Sequence, residues 1–331
     1  MLPWVECPSL TLNLDLSPEE RIAVVSDELM ERSRELLAAV QSEISGGQRW
    51  LADAVQLRTA YRFLAETKAN ARRVGVDWRD LTLANLSYEL VVGMFACSTI
   101  ALPTAAGPVL ARNMDFWPEK WLARASTLMR FTRGGEIAFV NAGWPGAVGV
   151  VSGMSAKGFA VVLNAVGGGS DKLGYPVLLH LRRVLEDAES FDAAVDWLAS
   201  ERLMAGALFT VVGTENSQRV VVERKPSAFV LRRPVGDEPL VTTNDYRLLN
   251  ASEHGSIEML LQTSCSRFDA LSQLFTKHRD ADEVGDSELL YALTDARVRQ
   301  TITAQHMIFR PREMLSRLFA PRELLCEDGL E

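Results

Sequence analysis

The spacing of apolar positions changes twice along this chain. Over residues 18 to 74 they recur at helical intervals: Ile22, Val25, Leu29, Leu36 and Val40, then Leu51, Val55, Leu64 and Ala65. Ser17 ahead of Pro18, Glu19 and Glu20 predicts an N-cap and a first helical turn. SGGQ at 45–48 predicts a break, and a second helix is expected from about Arg49 to Arg73, stopping before Gly75. After Leu90 the texture becomes that of strands. The runs VVGMFACSTIAL, GPVLARNMDF, IAFVNAGW and GAVGVVSGMSAKGFAVVLNA are divided by Gly and Pro. YPVLLHLRRVLEDA and SFDAAVDWLASERL read as amphipathic helices, residues 207–245 as three more strands, SRFDALSQLFTKH and DSELLYALTDARVR as helices, and TITAQHMIFRP as a closing strand. Helices, strands, helices, strands, helices, strand: this order predicts an α+β layered fold, with sheets face to face and helices outside. It does not fit a doubly wound parallel sheet.

Residues Leu90 to Ala111 are uncharged over about the length of a membrane span. Gly93, Pro103, Gly107 and Pro108 interrupt them, so two buried strands joined by a turn are expected instead. With 331 residues, 47% of them hydrophobic, the chain has ample material for a large core. The net charge of −8 lacks the basic stripe a general nucleic-acid binder needs. Cys7, Cys97, Cys265 and Cys326 lie far apart without a CxxC, and His180, His254, His278 and His306 show no HxxxH or HExxH. Neither a disulfide framework nor a metal site is expected, and no cofactor motif is present. The N-terminus has no basic n-region or long apolar core, which predicts no signal peptide and a cytoplasmic protein.

Four places carry candidate chemistry. Cys97 follows a strand-like run, with Arg112 and Asp115 at 15 and 18 residues beyond it. A lone strand cysteine is usually a small buried hydrophobe. If the two runs form a hairpin, Arg112 and Asp115 are buried charges that need partners, and a cation near the thiol raises its thiolate fraction. A structural salt bridge between the two is the competing reading. Asn164 ends a strand before Gly167, Gly168 and Gly169, a loop that permits close backbone approach to a ligand. Asn244 ends the run LVTTN, where its amide can donate to a developing oxyanion or simply cap a turn. Arg267 opens a helix. On the residues alone, a Cys97–histidine pair also stays open.

Taken in order, LANLSYELVVGMFACSTIAL, GPVLARNMDF, GEIAFVNAGWPGAVGVVSGMSAKGFAVVLNA, ESFDAAVDWLASERL, LVTTND and the Arg267 helix resemble the cysteine N-terminal-nucleophile (Ntn) hydrolases. Within them the chain is similar to the acid ceramidase and N-acylethanolamine acid amidase branch of the choloylglycine hydrolase superfamily. The likeness covers about Leu81 to Arg310. It implies a four-layer αββα sandwich and a precursor cut between Ala96 and Cys97. Residues 1–96 would then be a helical N-terminal segment and 97–331 the catalytic domain. Cys97 is implied as the nucleophile, its freed α-amine as the base, Arg112 and Asp115 as the pair that positions it, Asn244 as oxyanion donor and Arg267 as a brace on the carboxylate side. Asn164, Gly167 and Trp144 are the implied substrate-binding positions. The implied substrate is a small, linear N-acyl amide, lipid-like or not. Acyl transfer through the same thioester and a non-catalytic descendant are the alternatives, and membrane contact and homo-oligomerisation stay open.

Overall fold

The computed structural model describes residues 2–44, 49–90, 95–167, 169–249, 258–276 and 284–326. The chain opens with two short strands, β1 (Trp4–Glu6) and β2 (Ser9–Asn13), that the helical reading of the N-terminal segment did not include. Helices α1 (Pro18–Ala23), α2 (Asp27–Glu43), α3 (Arg49–Arg58), α4 (Leu64–Val74), α5 (Trp78–Asn85) and α6 (Ser87–Leu90) follow. Ser17 caps α1 as expected, and with Glu20 it forms a capping box. The helix expected over 49–73 is two helices. Ala60 and Tyr61 adopt left-handed backbone, with φ of 50° and 59°. The turn buries Phe63 and sends Arg62 to Glu186 and Asp187, so tertiary contacts override local propensity. Gly75, in left-handed conformation, ends α4. The SGGQ break lies outside the described residues.

Next come β3 (Phe95–Leu102), β4 (Val109–Phe116), α7 (Glu119–Ala125), β5 (Thr127–Arg133), β6 (Glu136–Gly143), β7 (Ser152–Ser155) and β8 (Phe159–Asn164). They are followed by α8 (Val177–Asp187), α9 (Phe191–Ser200), β9 (Ala207–Val212), β10 (Arg219–Arg224), β11 (Phe229–Arg232) and β12 (Leu240–Thr242). The chain closes with α10 (Glu258–Thr276), α11 (Asp286–Thr294), β13 (Thr303–Arg310), β14 (Leu315–Pro321) and α12 (Arg322–Leu325). Residues 207–245 thus hold four strands, not three: between Arg232 and Leu240 the chain leaves one sheet for the other. The single closing strand is likewise a hairpin, turned at Met314 with φ of 52°.

The strands form a six-stranded sheet, β1-β14-β13-β4-β3-β12, and an eight-stranded sheet, β11-β10-β9-β8-β7-β6-β5-β2. One core fills the space between the sheets and reaches α2, α4, α5, α8 and α9; a second lies between the six-stranded sheet and α10 and α11. The result is the αββα sandwich. Its helical faces are close-fitted: a Cβ on Gly153 of β7 would lie 2.6 Å from Leu185 of α8. No helix among the described residues is long and apolar enough to cross a membrane.

Residues Leu90 to Ala111 form, where described, the expected hairpin. β3 and β4 pair antiparallel, with Cys97 opposite Met114, Thr99 opposite Arg112 and Ala96 opposite Asp115. Strand alternation then separates two faces. Ala101, Leu110 and Met114 belong to the inter-sheet core, and Ile100, Leu102, Val109 and Ala111 to the core under α10 and α11.

Candidate active site

That alternation decides which groups meet the sulfur. Cys97 and Arg112 lie on the inter-sheet face. Asp115, three residues from Arg112 in an extended strand, lies on the opposite one, and the two do not pair as a salt bridge. Cys97 is 1% exposed. Its Sγ lies 2.7 Å from Nη2 of Arg112 and 3.9 Å from the carbonyl oxygen of Leu163 at the end of β8. Burial pushes the thiol's pKa up, and the Arg112 guanidinium and a hydrogen bond from the Ala165 backbone pull against it. Arg112, fully buried, also donates to Ser152 Oγ at 2.7 Å and to the Val151 carbonyl at 3.4 Å, so its planar fork is held on two sides.

On the other face, Asp115 accepts from Thr303 Oγ1 at 2.6 Å through Oδ1, while Oδ2 is buried without a hydrogen-bond partner among the described residues. Burial raises its pKa to about 6, against the pull of Arg267, Thr303 and Arg112. Arg267 of α10 crosses to the start of β3. It donates to the Cys97 carbonyl at 2.5 Å, to Ser98 Oγ at 2.9 Å and to Asn244 Oδ1 at 2.7 Å. Because a guanidinium can only donate, this contact fixes which end of the Asn244 amide is oxygen. The same Oδ1 accepts the Cys97 backbone N–H at 3.0 Å, and Nδ2 donates to the Ala165 carbonyl at 2.8 Å.

The structure therefore gathers Cys97, Arg112, Asn244 and Arg267 around one residue's sulfur, nitrogen and carbonyl. Asp115 sits on the far side of the same strand pair. Asn164 bonds the facing strands rather than the sulfur: its Oδ1 accepts from Thr99 at 2.7 Å and its Nδ2 donates to the Thr242 carbonyl at 3.0 Å, stapling the two sheets. Gly167 is partly exposed in the loop after β8. Trp144 lines an apolar cavity of about 40 Å³ with Leu36, Val40, Leu81, Phe116 and Val151, between the N-terminal helices and the Arg112 anchor. Among the described residues, His306 contacts Asn113 and His180 the Trp197 carbonyl, so neither is a base for Cys97. Sequence reasoning missed Ser152, Thr303 and Ser98; only Ser98 carried a signal, its place beside Cys97.

Two facing sheets between helical layers, antiparallel but for the β2–β5 pair, with a buried cysteine early in an inner strand, are the fold of the Ntn hydrolases. The chain belongs to the acyl-coenzyme A:6-aminopenicillanic acid acyl-transferase family, whose model matches residues 103–303. It is 26% identical over 250 residues to the N-acylethanolamine-hydrolyzing acid amidase of Mus musculus, covering 67% of each chain. To the enzyme of that name from Oryctolagus cuniculus it is 27% identical over 241 residues, 66% of this chain and 64% of that protein. The chain thus spans about two thirds of the length of these relatives. A solved Caenorhabditis elegans ortholog of that amidase superposes with a TM-score of 0.56 at 21% identity, covering 65% of this chain and 93% of that one. That superposition supports the shared fold.

Proposed function

We propose that this chain is a cysteine amidohydrolase that cuts itself before Cys97 and then cleaves small N-acyl amides with an apolar acyl group. The observation that carries the reading is the 2.7 Å contact between Arg112 and the Cys97 sulfur, combined with an Asn244 oxygen aimed at the Cys97 nitrogen. The sulfur has a cation to hold a thiolate. The nitrogen has an acceptor that serves equally for a peptide N–H and for a free amine. Free α-amines titrate at about pH 7.7–8.0, so this amine works as a base at neutral pH without a histidine.

The steps follow. After cleavage, the Cys97 thiolate attacks the amide carbonyl. Asn244 Nδ2 gives one proton to the Ala165 carbonyl and, in this reading, its second to the developing oxyanion together with a backbone N–H, each such donor being worth about 3–4 kcal/mol. The α-ammonium protonates the leaving amine, and water releases the acyl group from the thioester. Asp115 Oδ2, buried and without a hydrogen-bond partner among the described residues, supplies a counter-charge for an ammonium at this position. The apolar cavity supports an apolar acyl group. At about 40 Å³ it has room for a few water-sized groups at about 10–15 Å³ each, so binding a long acyl chain requires it to widen. Acyl transfer is the second reading, favoured by the description of the matched family: an amine then replaces water at the thioester.

Intact mass and product release test this. The wild-type chain is expected to separate into fragments 1–96 and 97–331 under denaturing conditions, and Cys97→Ala to stay whole and lose turnover by about four orders of magnitude or more. A Cys97→Ala chain that still turns over N-acyl amides overturns the proposal.

A further inference from the structure

We infer that Asn85 is a positioning residue for Cys97, acting across the cleavage point through residues 148–152 and Arg112. The inference rests on the proposed role of Arg112 in holding the thiolate. Asn85, at the end of α5, is 8% exposed. Its Oδ1 accepts two consecutive backbone N–H groups, Val148 at 2.8 Å and Gly149 at 3.0 Å, while Nδ2 donates to the Leu81 carbonyl at 2.9 Å. The amide is thus oriented by its own helix and spends its oxygen on the loop.

From Gly149 the path to the sulfur is short. The Val150 N–H bonds the Leu178 carbonyl of α8 at 3.0 Å, the Val151 carbonyl and Ser152 Oγ receive Arg112 Nη1, and Arg112 Nη2 meets the sulfur. The loop has no slack. A Cβ on Gly149 would lie 2.7 Å from Leu178 Cβ, so the backbone is pressed against α8. Removing the Asn85 oxygen leaves two buried N–H groups unsatisfied, a cost large enough to displace the segment. The element that presents Asn85 is itself pinned: Tyr88 donates to the Gly206 carbonyl at 2.6 Å, and Glu89 Oε1 accepts the Val177 N–H at the start of α8 at 2.6 Å. Asn70 and Arg182 hold the same loop at the Gly146 and Val148 carbonyls. Residues that precede position 97 therefore set the geometry of a sulfur that follows the cut.

The test uses the purified full chain and reads iodoacetamide alkylation at Cys97 against pH, followed by peptide mass so that the other cysteines do not interfere. Asn85→Ala is expected to move the midpoint up by about one pH unit, a tenfold loss of thiolate at neutral pH. Asn85→Asp, which keeps an acceptor oxygen for the two N–H groups and loses only the donor to Leu81, is expected to restore most of it. Ser152→Ala, at the other end of the path, is expected to shift the midpoint likewise, and the double variant no further than the larger single shift. An unmoved midpoint in Asn85→Ala, or full additivity with Ser152→Ala, overturns the inference. If Asn85→Ala does not accumulate folded, Asn85→Asp decides: a midpoint displaced as far as in Ser152→Ala overturns it. The readout needs no substrate, so a failure of the amidase proposal leaves this result standing.

Discussion

The two faces of the β3–β4 hairpin are built to different degrees of completion. On the inter-sheet face, the Cys97 sulfur and the Arg112 guanidinium have their partners, and Ser152 and the Val151 carbonyl hold the arginine in turn. On the face under α10 and α11, Asp115 has one oxygen bonded to Thr303 and the other buried without a partner among the described residues. A buried carboxylate oxygen left open is costly and normally avoided. The difference teaches that the sulfur's surroundings are finished in the uncut chain, while the carboxylate's are not. On the amidase proposal the missing partner is the charge of the α-ammonium, which does not exist until the chain is cut.

Variants on each face break or sharpen that contrast. Arg112→Ala has the largest expected effect: kcat/KM falls about a hundredfold or more, and the alkylation midpoint of Cys97 rises because its main cation is gone. Asp115→Asn is expected to lower kcat by about ten- to a hundredfold, yet to move the thiol midpoint the other way, downward, since the Asp115 charge raises it. Opposite signs on one sulfur from two variants separate the faces; equal signs erase the distinction. Thr303→Val acts more mildly. Losing the hydroxyl that lowers the Asp115 pKa pushes it above about 6, so the acid limb of the activity profile moves to higher pH. Stability drops by about 1 kcal/mol in a urea titration.

The smallest effect on turnover is expected from His306→Gln, whose imidazole meets Asn113 on the Asp115 face of β4 but bonds neither Asp115 nor Cys97. Burial lowers the His306 pKa to about 3 from an ordinary 6.5. The folded state therefore refuses a proton that the unfolded state accepts. The stability this represents is present above about pH 6.5 and is lost as pH falls toward 3, each tenfold difference in proton affinity being worth about 1.4 kcal/mol before relaxation. Asp115 and Glu89 work in the opposite sense. Burial raises them to about 6 and about 7, so each favours the fold at acid pH and withdraws that support as pH rises through those values. Urea midpoints between about pH 4 and 7 are expected to flatten toward acid in His306→Gln; an unchanged slope rules out a buried neutral imidazole.

Much of this was legible in the residues. The hairpin followed from two apolar runs and the Gly and Pro between them, and the outer helices from their periodicity. Alternation also held the separation of Arg112 from Asp115, an odd number of strand positions apart, though considering them as a pair concealed it. Asn244 and Arg267 stand 147 and 170 residues from Cys97, so the residues alone offered Asn244 as a strand-end donor and only likeness to a family tied the two to the cysteine. Ser152 and Thr303 gave no signal, because a hydroxyl in a strand acquires meaning from the sheet register and the opposing sheet. The alternation of Leu10, Leu12 and Leu14 marks β2 in retrospect, but five residues before a strong helical pattern are easily absorbed into it.

The placement of β1 and β2 has a mechanical consequence. β1 edges the six-stranded sheet against β14, and β2 edges the eight-stranded sheet parallel to β5, with Cys7 and Pro8 between them. One short stretch of chain thus grips both halves of the sandwich at their rims, far in sequence from position 97. A nick there would split the protein on a denaturing gel while leaving its sedimentation and diffusion unchanged, because releasing the smaller piece means peeling a strand from each sheet at once.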